Sequence, residues 1–173
     1  MRSEKNVMTV LVAALALAAS AMSLGNGFAL DDVPIILQNP RVHSLADAWQ
    51  LLGQTYWPPD YGSSLYRPLT SIAFAIQWAI GGGSPLAFHI VSVALYVAVC
   101  VLLLRLARGI MEPRAAAIGA AVFAVHPIHV EAVANVVGQA ELAVLRGRCR
   151  GLRRQGGRRL RGPQDRAVAV SRE

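Results

Sequence analysis

Charge is scarce in this chain. Of its 173 residues only 16% are Asp, Glu, Lys or Arg, against 54% hydrophobic, and the mean hydropathy is +0.43. A soluble domain averages about 25% charged residues, so composition argues against an ordinary water-soluble globule and for a membrane protein. Cysteine is as sparse: Cys100 lies in an apolar run and Cys149 among arginines, which offers neither a disulfide framework nor a thiolate metal site. A basic body is missing too. The formal net charge is +7, yet ten arginines fall in the last 28 residues against Asp165 and Glu173, so that tail carries +8 and everything before it −1. No attraction to nucleic acid follows from the body of the protein.

Apolar runs are what the chain has instead. Val7 to Leu24, preceded by Arg2 and Lys5, is just long enough at about 1.5 Å per residue to cross a hydrocarbon core of roughly 30 Å. A cleavable signal peptide is the competing reading, since Ala-Ala-Ser-Ala supplies small residues near its end. Two more apolar segments favour an uncleaved span, with the basic N-terminus on the cytoplasmic side. Pro85 to Leu104 is the clearest span, and Arg105, Arg108 and Arg114 mark an inside turn after it. From Ala115 small residues suited to close helix packing run back outward, for a third span over about 115–137. Pro127 predicts a break, because the residue before a proline is pushed out of the helical region.

Between the first two spans, residues 25–84 form an outer loop. Ser44 to Leu52 has a serine cap and helical apolar spacing, which predicts a short helix along the interface. Trp49, Tyr56, Trp57, Tyr61 and Tyr66 suit headgroup level. Leu69 to Ile80 is apolar but too short to span; it reads as an interfacial or re-entrant helix stopped by Gly81-Gly82-Gly83. The expected fold is therefore all-α, a polytopic membrane protein of about three transmembrane helices with short interfacial helices in its outer loop and a disordered tail.

Three polar features stand where polar groups are costly. Asp31 and Asp32 stand just beyond the first span; they are a functional candidate, or they mark where the chain leaves the lipid. Arg67, in Tyr66-Arg67-Pro68-Leu69-Thr70, sits on the same side at the mouth of an apolar stretch. It can hold a phosphate bidentately or pair with Asp31 or Asp32. His126, His129 and Glu131 can form a proton relay, a phosphate clamp or a metal site, or the histidines can cap carbonyls at a kink. The metal case is weak, since the pattern is not His-Glu-x-x-His and no third ligand stands at a standard spacing.

The order of these motifs resembles one family. Asn26-Gly27-Phe28 precedes Asp31-Asp32, then come Asn39-Pro40, Tyr66-Arg67-Pro68-Leu69-Thr70, Phe88-His89 and His126-Pro127-Ile128-His129-Val130-Glu131-Ala132-Val133-Ala134. This looks like the N-terminal part of the transmembrane and tetratricopeptide-repeat O-mannosyltransferases, polytopic glycosyltransferases of the GT-C class, over roughly Val7 to Leu145. Gly138-Gln139-Ala140-Glu141-Leu142 continues the likeness, with Gln139 where an arginine is usual. The resemblance implies inverting transfer of a sugar, commonly mannose, from a polyprenyl-phosphate donor to a hydroxyl of an acceptor protein on the outer or lumenal face. It matches Asp31 and Asp32 to the family's acidic catalytic motif. In that expectation Asp32 is the base and Asp31 orients it or the acceptor. Arg67, His126 and His129 surround the phosphate, and Tyr66 and Glu131 add substrate contacts. No resident cofactor is implied with certainty, although a divalent cation has room.

Residues 1–145 thus read as a GT-C-like membrane region and 146–173 as a separate arginine-rich disordered tail. A relative would continue into further apolar spans, so the tail reads as the product of a shifted reading frame, with RNA or anionic-lipid binding as the functional alternative. The expected setting is a bacterial inner membrane with the N-terminus cytoplasmic. The expected partners are membrane lipids, the polyprenyl-phosphate sugar and an acceptor protein, without nucleic acid. A fragment inactive alone is expected; a non-catalytic three-span interaction protein is the alternative.

Overall fold

Among the described residues three prolines open α-helices, each at a first helical position where the missing amide hydrogen costs nothing. The computed structural model describes residues 2–46 and 48–160, and in it α2 (Pro68–Gly81), α3 (Pro85–Ala107) and α4 (Pro113–Val125) all begin this way. Glu112 caps α4, its carboxylate accepting from the amides of Arg114 at 2.9 Å and Ala115 at 3.1 Å. Before them runs α1 (Arg2–Ser20), continued by a 3-10 turn at Ala21–Gly25. After them come α5 (Val130–Ala134) and α6 (Gln139–Leu160). The described residues contain no strand, as the all-α expectation requires.

Two helices, Ser3–Gly25 and Pro85–Ala107, are long and apolar enough to cross a membrane. A third span exists if α4 and the segment Pro127–Ala134 count as one, since they are bent by 52° at the break. The cause of the bend is local. Pro127 holds His126 in extended backbone, at φ −72° and ψ 128°, and the chain resumes through a 3-10 turn at Pro127–His129.

α1, α3 and α4 pack through small residues. Ala16 of α1 and Ala116, Ala120 and Ala124 of α4 are buried together with Val93, Tyr96, Cys100 and Leu104 of α3. Alanines four apart lie on one helix face and let backbones approach closely. At one end of this bundle Arg108 donates to the Thr9 hydroxyl at 3.1 Å and to the Lys5 carbonyl at 3.0 Å, so the start of α1 lies beside the end of α3.

The other end carries a second core. Ile35, Ile36, Val42, Leu51 and Tyr56 of the loop pack on Phe74 and Ala75 of α2, Phe88 of α3 and Val136. The loop is thus a folded cap over the helix ends rather than a strip along the interface. Its expected helix at Ser44 to Leu52 is replaced by a 3-10 helix at Ala48–Gly53, because the Ser44 hydroxyl closes a local turn on the amide of Ala46 at 3.2 Å. Of the aromatic residues expected at headgroup level, Trp49, Tyr61 and Tyr66 are exposed, whereas Tyr56 is buried in this second core.

The arginine-rich segment is helical as far as Leu160, where disorder was expected from Arg146. Arginine and leucine rank among the better helix formers, and α6 enters this stretch already nucleated at Gln139. The rest of that segment, 161–173, lies outside the described residues.

Candidate functional site

The two adjacent aspartates end in opposite surroundings. Leu30 adopts φ 49°, a left-handed conformation rare for a residue with a Cβ, and turns the chain sharply just before them. Asp32 then points inward and is 0% exposed. Its Oδ1 accepts from the amide of Val137 at 2.9 Å, and its Oδ2 accepts from the amides of Val136 at 3.1 Å and Ala29 at 3.4 Å. Burial pushes its carboxyl above the usual carboxylate range, and these amides work in the other direction. Such a carboxylate fastens the turn at Val136–Gly138 to the loop; it has no open face toward a substrate.

Asp31 points outward. It is exposed and has no hydrogen-bond partner for its carboxylate among the described residues. It lines a cleft of about 470 Å³ together with Tyr56, Trp57, Arg67, Glu131, Asn135 and Glu141. This is the one place where the expected residues meet: Asp31, Arg67 and Glu131 share it, and Asp32 stands behind its wall.

Arg67 pairs with neither aspartate. Its Nη2 donates to Oε1 of Glu141 at 2.9 Å, the two side chains being 35% and 65% exposed. So exposed a pair contributes about 0–1 kcal/mol. The guanidinium carbon also lies 5.6 Å from the centre of the Tyr56 ring, within cation–π range.

The remaining expected residues lie elsewhere. The Tyr66 hydroxyl donates to the Leu52 carbonyl and so ties down the loop. His126 and His129 line a smaller cavity of about 160 Å³ with Ser20, Ser23, Asn26 and Tyr96. Among the described residues neither ring caps a carbonyl. His126 Nδ1 accepts from the amide of Ile128 at 3.2 Å, and the His129 ring lies against Phe123 at 4.1 Å between centres. The histidines therefore share an end of the bundle with the cleft but not the cleft itself. Among the described residues no three His, Cys, Asp or Glu are grouped to hold a metal ion.

Sequence reasoning missed three contributors. Tyr56 is 3% exposed, and its hydroxyl has no hydrogen-bond partner among the described residues although it lines the cleft. Burial pushes its pKa up despite the nearby Arg67, so it stays a donor. Glu141 was visible as part of Gly138-Gln139-Ala140-Glu141-Leu142, and that motif was the available signal. The buried Gln139 Nε2, with two hydrogens to give, has three acceptors in reach: Gln77 Oε1 at 3.1 Å, the Phe88 carbonyl at 2.9 Å and the Ser92 hydroxyl at 3.1 Å. Its own Oε1 accepts from Gln77 Nε2 at 2.9 Å. A neutral amide thus fixes α6 against α2 and α3 and sets where Glu141 stands.

Fold and cleft together define a helical integral membrane protein with an acidic and cationic cleft at one end of its bundle. The chain is 36% identical over 124 residues to the protein O-mannosyl-transferase TMTC3 of Mus musculus, a match covering 69% of the chain and 14% of that protein. It is 38% identical over 149 residues to Tmtc2 of Drosophila melanogaster, covering 82% of the chain and 16% of that protein. To TMTC4 of Homo sapiens it is 31% identical over 152 residues, or 77% of the chain and 20% of that protein. Over the matched region the chain belongs to this family of protein O-mannosyl-transferases, and it spans about a fifth or less of the length of these relatives. No family model and no solved structure matches it. The relatives are animal proteins and give the expected bacterial inner membrane no support.

Proposed function

We propose that this chain forms the acceptor-activating part of a membrane O-mannosyltransferase that uses a polyprenyl-phosphate sugar and a protein hydroxyl on the outer face, with its N-terminus cytoplasmic. The observation that carries the reading is the open carboxylate of Asp31 sharing one cleft with Arg67. In an inverting transfer a carboxylate takes the acceptor hydroxyl's proton as its oxygen attacks the anomeric carbon, and the sugar–phosphate bond breaks on the opposite face. Asp31 is the base in this reading, a role the motif alone had given to Asp32. Arg67 meets the departing phosphate, the Tyr56 hydroxyl donates to the same substrate, and Glu131 and Asn135 orient the sugar or acceptor.

By itself the chain binds without transferring, because further helices are needed to close the donor site. The segment from Arg146 onward is out of frame; an apolar continuation in another frame of the gene is expected, and its absence contradicts that part. The alternative of a non-catalytic interaction protein draws on Asp32 and Arg67, both engaged within the protein. It leaves the orphan hydroxyl of Tyr56 beside two free carboxylates unexplained.

The test is mannose transfer to an acceptor protein by full-length Drosophila melanogaster Tmtc2 carrying residues 7–145 of this chain in place of its matching region. Transfer by the unsubstituted chimera is expected, with a loss of roughly 100-fold or more in Asp31→Asn. No transfer by the chimera, or full transfer by Asp31→Asn, contradicts the reading.

A further inference from the structure

The ion pair between Arg67 and Glu141 stands between two cavities. On one side is the polar cleft, and on the other an apolar groove of about 410 Å³ between the first turns of α2 and α6, lined by Pro68, Leu69, Ala140, Ala143 and Val144. Both cavities include Arg67 and Glu141 in their walls. A mostly apolar groove that ends on the guanidinium of an exposed ion pair matches a ligand with an apolar chain and an anionic head.

We propose that the Arg67–Glu141 pair is a latch between groove and cleft, opened when the phosphate head of a single-chain lipid displaces Glu141 from Arg67 while the chain lies in the groove. The proposal deepens the sugar-transfer reading, on which it rests for the phosphate-bearing substrate.

Three observations support it. Glu141 engages Arg67 through a single contact of 2.9 Å, and its side chain is 65% exposed. A phosphate offers more acceptor oxygens and more charge, and can engage the guanidinium fork bidentately. Next, the Tyr56 hydroxyl is buried in the cleft wall without a partner. A head group on Arg67 gives that donor an acceptor, which Glu141 does not. Finally, the groove side presents apolar surface: among the described residues Leu69 is 78% exposed and Val144 55% exposed. Glu141 thus engages the guanidinium that the head group would take, closing the groove off from the cleft.

The test uses the full chain in detergent, with binding read from the quenching of tryptophan fluorescence, Trp57 lying in the cleft wall. The probes are farnesyl phosphate, farnesol and inorganic phosphate. Farnesyl phosphate is expected to bind at least about tenfold more tightly than either other probe. Glu141→Gln, and Glu141→Ala as a second variant, should tighten it by about threefold to fivefold by removing the competing carboxylate. Arg67→Ala should weaken it by about tenfold or more. Ala143→Trp, which fills the groove, should weaken farnesyl phosphate while leaving inorganic phosphate unchanged.

The latch is overturned if both Glu141 variants bind farnesyl phosphate no better than the parent. The groove is overturned if inorganic phosphate binds as well as the lipid, or if farnesol binds equally. Lipid binding with the Glu141 effect but no transfer by the chimera defeats the transfer reading alone; transfer without the Glu141 effect defeats the latch alone.

Discussion

Asp31 and Asp32 are chemically identical neighbours, and what separates them is the direction each takes after the left-handed turn at Leu30. Asp32 gives both carboxylate oxygens to backbone amides on a segment more than a hundred residues later in the chain. An asparagine there puts an NH₂ where an acceptor is needed. Asp32→Asn should therefore destabilise the fold by about 1–3 kcal/mol, the cost of leaving a buried amide without its acceptor, as read by thermal unfolding in detergent. Asp31→Asn should leave the unfolding midpoint unchanged and act only on transfer. Equal effects of the two substitutions on stability would contradict the division of roles. Position in the chain could not assign them. Both follow the same apolar run at the same depth, and the choice rests on contacts with Val136 and Val137 that no local pattern announces.

Among the elements, the turn at Val136–Gly138 joins the cleft to the bundle. It hands its amides to Asp32 on one side and leads into Gln139 on the other. Gly138 is required there, since a Cβ would lie 2.4 Å from the Ala132 carbonyl oxygen and 2.8 Å from its carbon, both backbone atoms that cannot step aside. Gly138→Ala should thus cost about 1–3 kcal/mol, in the range of overpacking a tight site, and should expose Asp32; an unchanged midpoint in thermal unfolding would contradict it. The helices were legible because their signals are local: apolar length for α1 and α3, Pro127 for the break after α4, the glycine run after α2. The loop was legible only in part. The turn formed by Ser44 and the burial of Tyr56 depend on what packs over them, and the pairing of Arg67 with Glu141 joins residues 74 apart in the chain.

Across the whole molecule the placement of the clusters follows from the helices. Arg108 binds the start of α1 at one end, and α4 begins at that end too, since Glu4, Lys5 and Met8 share a cavity with Glu112 and Arg114. The chain therefore delivers Asp31, Arg67, Glu131 and the two histidines to the opposite end. The sequence led to the same arrangement through the arginines that follow α3, but it merged into one site what are two cavities. The account depends on a single aqueous cleft at that end, reached by Asp31 and Glu131 together. The direct measurement is labelling of single cysteines at positions 31, 131 and 111 in sealed membranes, in a background with Cys100 and Cys149 replaced, by a thiol reagent that cannot cross the bilayer. Positions 31 and 131 should react from one side and position 111 only from the other, with a bulky adduct at 31 slowing the reaction at 131 in the double variant. Labelling of 31 and 131 from opposite sides would contradict the account.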